Sequence, residues 1–159
     1  MDITIPGRGT YDLCHLVLDV NGTVAVGGQL IDRVPEHLAE IQKTGVQVHW
    51  ITADTRGRQA ALDRQMGFAA HRLSPTAGLD EGQQKALYVE SLGAHQVIAI
   101  GNGANDAPML RTAAIGVAVL GPEGLSTAVL LSSDLIAPGI HEALDLLVDP
   151  ARLVATLRT

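Results

Sequence analysis

Short apolar runs alternate with amphipathic stretches along most of this chain. Leu13–Leu18, Val46–Ile51, Gln96–Ile100 and Ile115–Leu120 read as strands, and the central ones are apolar almost without interruption. Between them, 35–43, 56–66, 81–92 and 105–112 carry apolar residues at helical spacing, three of the four followed closely by a stop glycine. Pro35 suits the first turn of its helix, and Asn105 reads as an N-cap. Ile3–Ile5 followed by Pro6-Gly7-Arg8-Gly9 reads as strand and turn, leading into the Leu13–Leu18 strand. Residues 24–31, centred on Gly27-Gly28, read as a hairpin. A short strand over 68–73, helices over 123–131 and 139–148, a strand over 134–137 and a helical piece from Pro150 complete the pattern. Strands buried on both faces and separated by helices predict an α/β fold with a mostly parallel sheet flanked by helices.

With no repeat, low-complexity tract or linker, the 159 residues are expected to form a single domain. In such a sheet, ligands collect beyond the carboxyl ends of the strands. Three predicted strands end in polar signatures: Asp19-Val20-Asn21, Thr52-Ala53-Asp54, and Gly101-Asn102-Gly103-Ala104-Asn105-Asp106. A parallel sheet brings all three to one edge.

Composition narrows the chemistry. Hydrophobic residues make up 47% of the chain and aromatics only 3%, so the core must be aliphatic and stacking platforms for single-stranded nucleic acid are lacking. A net charge of −6 further disfavours nucleic acid and anionic membranes as partners. No apolar run approaches the length of a membrane span. The single cysteine, Cys14, and the N-terminus without a signal-peptide pattern lead to a cytoplasmic expectation. The six histidines show no ligand spacing, and Trp50 is expected in the core.

At a strand end, Asp19 can act as a nucleophile that accepts a phosphoryl group. Gly22 permits a sharp turn after it. Thr52 can donate a hydroxyl to a phosphoryl oxygen, and Lys85 can offset charge on both nucleophile and phosphate. Asn105 and Asp106 can hold Mg²⁺ or fix the lysine.

Taken together, Asp19-Val20-Asn21-Gly22-Thr23, Thr52, Lys85 and GNGAND (101–106) resemble the motifs of the haloacid dehalogenase-like (HAD) superfamily. The likeness is greatest to the phosphorylation domain of P-type ATPases, through DVNGT, TAD (52–54) and GNGANDAP (101–108). The resemblance implies a three-layer, Rossmann-like fold and an Mg²⁺-dependent phosphohydrolase or phosphotransferase working through an aspartyl-phosphate at Asp19. It implies catalytic roles for Asp19, Asn21, Thr52 and Lys85. Metal-binding roles fall to Asp19, Asn21, Asn102 and Asp106, with Gly22, Thr23, Ala53, Asp54 and Asn105 around the phosphate. Only 32 residues separate Asp19 from Thr52, which leaves the 24–31 hairpin as a flap and no large cap.

Two amides depart from the family pattern. The superfamily's general acid–base lies two residues after the nucleophile, where this chain has Asn21. Its metal-binding acid in the fourth motif is matched by Asn102. Slow turnover or a persistent phospho-enzyme is the expectation. A scaffold with reduced chemistry, serving as a binding or regulatory protein, is the alternative. A Rossmann-type dinucleotide site at GNGAND lacks the third glycine of that fingerprint. The expected partner is a small phosphorylated substrate or a phosphoprotein, and the open site leaves homo-oligomerisation open. Both amides precede glycine, a sequence prone to deamidation, and conversion to Asp would recreate the two acids.

Overall fold

The computed structural model describes residues 1–53, 59–74 and 78–159. Its centre is a six-stranded sheet built from β3 (His15–Asp19), β6 (Gln47–Thr52), β7 (His71–Arg72), β8 (Val97–Gly101), β9 (Ile115–Val119) and β10 (Leu135–Ala137). The order is β10-β9-β8-β3-β6-β7, and every pairing is parallel. The mostly parallel α/β fold read from the pattern is therefore the fold observed.

Alternation along β3 assigns the two faces. Leu16 and Leu18 pack into one core with Leu38 and Ile41 of α1 (Val34–Lys43), Leu144 and Leu147 of α6 (Ile140–Val148), and Leu153 of α7 (Pro150–Leu157). Val17 faces the other way. It packs with Val89 of α3 (Glu81–Ser91), Met109 and Leu110 of α4 (Ala107–Thr112) and Val129 of α5 (Thr127–Leu130). Helices thus cover both faces and make three layers. Asp19 falls on the same side of β3 as Val17, two residues on, and so points toward α3 rather than α1. The remaining helix, α2 (Gln59–Met66), buries Gln59 and Leu62.

Several elements differ from the sequence reading. The expected strand over 13–18 begins only at His15. Before it, β2 (Gly9–Asp12) folds back antiparallel on β1 (Asp2–Ile5). Turn residues Pro6 to Arg8 close that small ribbon, and its inward residues Ile3 and Ile5 are buried. The expected helix over 123–131 shrinks to α5, because Gly121 and Gly124 bridge across a turn and Ser126 then caps the helix through Ala128 N–H. Asn105 is not an N-cap: residues 104–106 form a 3-10 turn, Asp106 precedes α4, and the Asn105 side chain bonds elsewhere. The 68–73 strand is reduced to two residues. The expected hairpin is present as β4 (Ala25–Val26) and β5 (Gln29–Leu30), turning through Gly27 and Gly28.

Trp50 is buried as expected, with its indole N–H lacking a partner among the described residues. Cys14 is half-buried at the end of the ribbon, where its thiol donates to Asp12 at 3.4 Å. No helix among the described residues is long and apolar enough to cross a membrane.

Candidate active site

The site forms where three neighbouring strands end. In the sheet, β3 is flanked by β6 and β8, with Asp19 beside Ile51 and Leu18 beside Ile100. The polar residues at the end of each strand therefore meet across a few ångströms, although Asp19 and Asp106 are 87 positions apart. Asp19, Thr23, Thr52, Lys85, Asn102 and Asp106 are all buried.

Lys85 is the hub. It leaves the buried face of α3, and its Nζ donates to Asp19 Oδ1 and to Asp106 Oδ1, each at 2.6 Å. Its side chain is 1% exposed, and those of the carboxylates are 8% and 0% exposed. Two buried anions thus share one buried cation, which leaves an excess negative charge. Burial pushes the Asp19 carboxyl up to about 7; the Asp106 charge adds to that rise, while Lys85 and the Val20 backbone oppose it. Burial works to lower the Lys85 ammonium, yet the charges of Asp19 and Asp106 outweigh it and hold the group above its usual range. Lys85 therefore stays cationic, while Asp19 holds its proton more readily than an ordinary aspartate.

Asp106 also organises the loop after β8. Its Oδ2 accepts the N–H groups of Asn102 and Gly103, both at 2.9 Å. Both of its oxygens are thus engaged by donors. The lysine-pairing role is what this geometry displays for Asp106.

Asn102 links the loops. Its Oδ1 accepts the Thr23 hydroxyl at 3.1 Å, and its Nδ2 donates to the Gly124 carbonyl. The turn carrying Asn21 needs glycine at 22. Gly22 has φ +85°, and a Cβ there would lie 2.7 Å from Asn102 Nδ2 and 3.1 Å from Glu123 Oε2. The Asn21 amide donates to Thr52 Oγ1 at 3.4 Å.

A cavity of about 130 Å³ opens at Asp19, lined by Asn21, Thr52, Ala53, Glu81, Lys85 and Asn105. A neighbouring hollow of about 460 Å³ shares Asn21 and is bordered by Asn102, Glu123 and Ser126. A larger groove of about 730 Å³ runs between the hairpin and the ends of β9 and β10, past Leu30, Leu120 and Ile140. Among the described residues, that groove offers no carboxylate and no lysine, so the small cavity is where the reactive groups gather.

The structure thus brings Asp19, Asn21, Gly22, Thr23, Thr52, Ala53, Lys85, Asn102, Asn105 and Asp106 to one edge of the sheet. Asp54 lies outside the described residues. Two acids escaped the sequence reading. Glu81 lines the Asp19 cavity and accepts from Asn105 Nδ2 at 2.8 Å. Glu123 stands beside Asn102. A signal for Glu81 did exist, because it lies four residues before Lys85 and so on the same face of α3. For Glu123, on an irregular turn, no spacing rule applies.

Among the described residues, no three His, Cys, Asp or Glu side chains group as a metal cage. Mg²⁺ asks for less, since it keeps several waters and takes one or two carboxylates. Oxygen donors of that kind are present in the Asp19 carboxylate and the Asn102 amide, with Glu123 Oε2 close by. Oxygen donors of this kind suit a hard divalent cation.

Comparison with known proteins adds to this geometry. Residues 82–121 match the family described as haloacid dehalogenase-like hydrolase. An uncharacterized protein of Methanocaldococcus jannaschii is 48% identical over 63 residues, which is 40% of this chain and 68% of that protein. Copper-transporting ATPase 1 of Rhizobium meliloti is 32% identical over 127 residues, covering 77% of this chain but only 15% of the transporter. Among solved structures, 3-deoxy-D-manno-octulosonate 8-phosphate phosphatase from Moraxella catarrhalis, in complex with magnesium and phosphate ions, superposes with a TM-score of 0.68. It is 16% identical, and the match covers 92% of this chain and 94% of that one. At that identity the likeness concerns the fold.

Proposed function

The chain belongs to the haloacid dehalogenase-like superfamily, and we propose that it is an Mg²⁺-dependent phosphohydrolase or phosphotransferase in which Asp19 is transiently phosphorylated. The observation that carries this reading is Lys85 Nζ held 2.6 Å from both Asp19 and Asp106 in a buried strand-end pocket.

In this reading an Asp19 oxygen attacks the phosphorus of a phosphate ester as the bond to the leaving oxygen breaks. Lys85 offsets charge on the nucleophile and on the incoming phosphoryl group. The Thr52 hydroxyl lies at the pocket wall to bond a phosphoryl oxygen. Asp106 holds Lys85 in place and shapes the loop after β8. Bound through Asp19 and the Asn102 amide, Mg²⁺ would neutralise charge on the phosphoryl oxygens. Phosphoryl transfer asks for little beyond such positioning and neutralisation. The cavity is small and the hairpin narrow, which suits a compact phosphate group and leaves the rest of the substrate outside. A small phosphorylated molecule or a phosphorylated side chain of a protein fits this description.

A second reading has a specific observation behind it. Asn21 and Asn102 are amides at positions where the superfamily carries acids, so the chain can also be a scaffold that binds phosphate compounds without turnover. A screen of phosphomonoesters with wild type and Asp19→Asn decides between the two. The enzymatic reading expects Mg²⁺-dependent phosphate release that disappears in Asp19→Asn. Binding of the same compounds without release in either protein would select the scaffold.

A further inference from the structure

The amide at Asn21 leaves the proposed reaction without its proton carrier, and the cavity contains a substitute. We propose that Glu81 is the general acid–base of this site; the inference rests on the aspartyl-phosphate reading above.

Among the described residues, the titratable side chains lining the Asp19 cavity are Asp19, Lys85 and Glu81. Asp19 is the nucleophile. Lys85 is committed as a doubly paired ammonium and has no lone pair to offer. Glu81 remains. It precedes Lys85 by four residues on α3, about one helical turn, so both project from the same face over the pocket. Its position is fixed from two sides. Asp80 caps α3 with a reciprocal capping box to Gln83. Next to Glu81, Gly82 lets the helix press on the loop after β8, where an added Cβ would meet Asn105 O and Pro108 at 3.0 Å. Asn105 Nδ2 then holds Glu81 Oε2 at 2.8 Å, and Oε1 has no hydrogen-bond partner among the described residues. A carboxyl group with one oxygen anchored and the other free, on the rim of the nucleophile's cavity, is arranged to exchange a proton there.

The steps balance. As Asp19 bonds to phosphorus, the leaving oxygen takes the proton of the Glu81 carboxyl. Glu81, now a carboxylate, removes a proton from water as the water oxygen bonds to phosphorus. The bond between phosphorus and Asp19 breaks, phosphate departs, and both side chains return to their starting states.

The test follows the adduct rather than overall turnover. Acetyl phosphate is the probe, because its good leaving group needs no protonation and loading of Asp19 is then independent of Glu81. Wild type, Glu81→Gln and Asp19→Asn are loaded with Mg²⁺, freed of probe, and followed by intact mass spectrometry. Gln keeps an acceptor for Asn105 but cannot carry the proton. Glu81→Gln is expected to load as wild type does and to lose its phosphate more slowly, by about 10²- to 10⁴-fold. Equal adduct lifetimes in Glu81→Gln and wild type would overturn the role of Glu81 and leave a purely structural bond to Asn105. Absence of adduct in wild type would instead remove the phospho-aspartate reading, and this inference with it.

Discussion

Lys85 donates to Asp106 at 2.6 Å in a place where neither side chain has meaningful contact with water. Such a pair is costly to break from one side, since the surviving charge is left buried. Lys85→Met removes the cation from two carboxylates at once. We expect a loss of about 3–5 kcal/mol in urea unfolding. The double variant Lys85→Met/Asp106→Asn should recover part of it, which a double-mutant cycle measures directly. An unchanged midpoint for Lys85→Met would show that the cluster does not contribute as a buried ionic unit.

The raised Asp19 carboxyl makes a pH prediction for protein stripped of metal by chelation. Its folded value, about 7, lies above the ordinary value of 3.8, so between those limits the folded state holds a proton that the unfolded chain releases. Stability from this group is present at acid pH and is lost as pH rises toward 7. Asp19→Asn cannot titrate. Its stability relative to wild type should therefore climb between pH 5 and pH 7.5, read from urea midpoints. A constant difference across that range would contradict the assignment.

Asn21 tests the slow-turnover expectation. Asn21→Asp introduces an acid beside Thr52, whose hydroxyl can donate to it. In a Glu81→Gln background the substitution should quicken hydrolysis of the Asp19 adduct by about 10²-fold or more, followed by intact mass spectrometry; with Glu81 present the gain should be small, because two proton carriers then serve one step.

Asn102→Asp adds negative charge at the proposed cation site and keeps an acceptor for the Thr23 hydroxyl. Mg²⁺ affinity, measured by calorimetry, should rise by about tenfold. The bond to the Gly124 carbonyl would be lost and Glu123 would be repelled, so the metal-free variant should also unfold at lower urea. Unaltered Mg²⁺ affinity would place the cation away from Asn102.

How much of this could be read from the chain depended on whether spacing or side-chain reach decided the outcome. Asp19, Thr52 and Asn102 follow apolar strands, and a parallel sheet leaves them no other place than one edge. Lys85 was legible only through its family motif, since nothing local marks it as buried. The strand at Ile3–Ile5 and the turn after it were legible, but the return strand β2 was missed because Leu13 and Cys14 continue the apolar run of β3. Asn105 looked like a helix cap from its neighbours, yet Glu81 across the pocket takes its amide. The deamidation signal at the two Asn-Gly pairs is also tempered by tertiary contacts. Gly22 N–H is bonded to Ala25 O at 2.8 Å and Gly103 N–H to Asp106 Oδ2 at 2.9 Å, so neither nitrogen is free to attack the amide before it.

Lys85 reaches Asp19 across 66 positions and Asp106 across 21. In the unfolded chain these three groups have no reason to be near one another, so no fragment of the pocket survives the loss of the sheet. A phosphate or cation that requires all three senses only intact molecules, and its occupancy raises the melting temperature in step with its concentration. For this protein, thermal shift in the presence of candidate phosphorylated compounds therefore doubles as a search for its natural ligand.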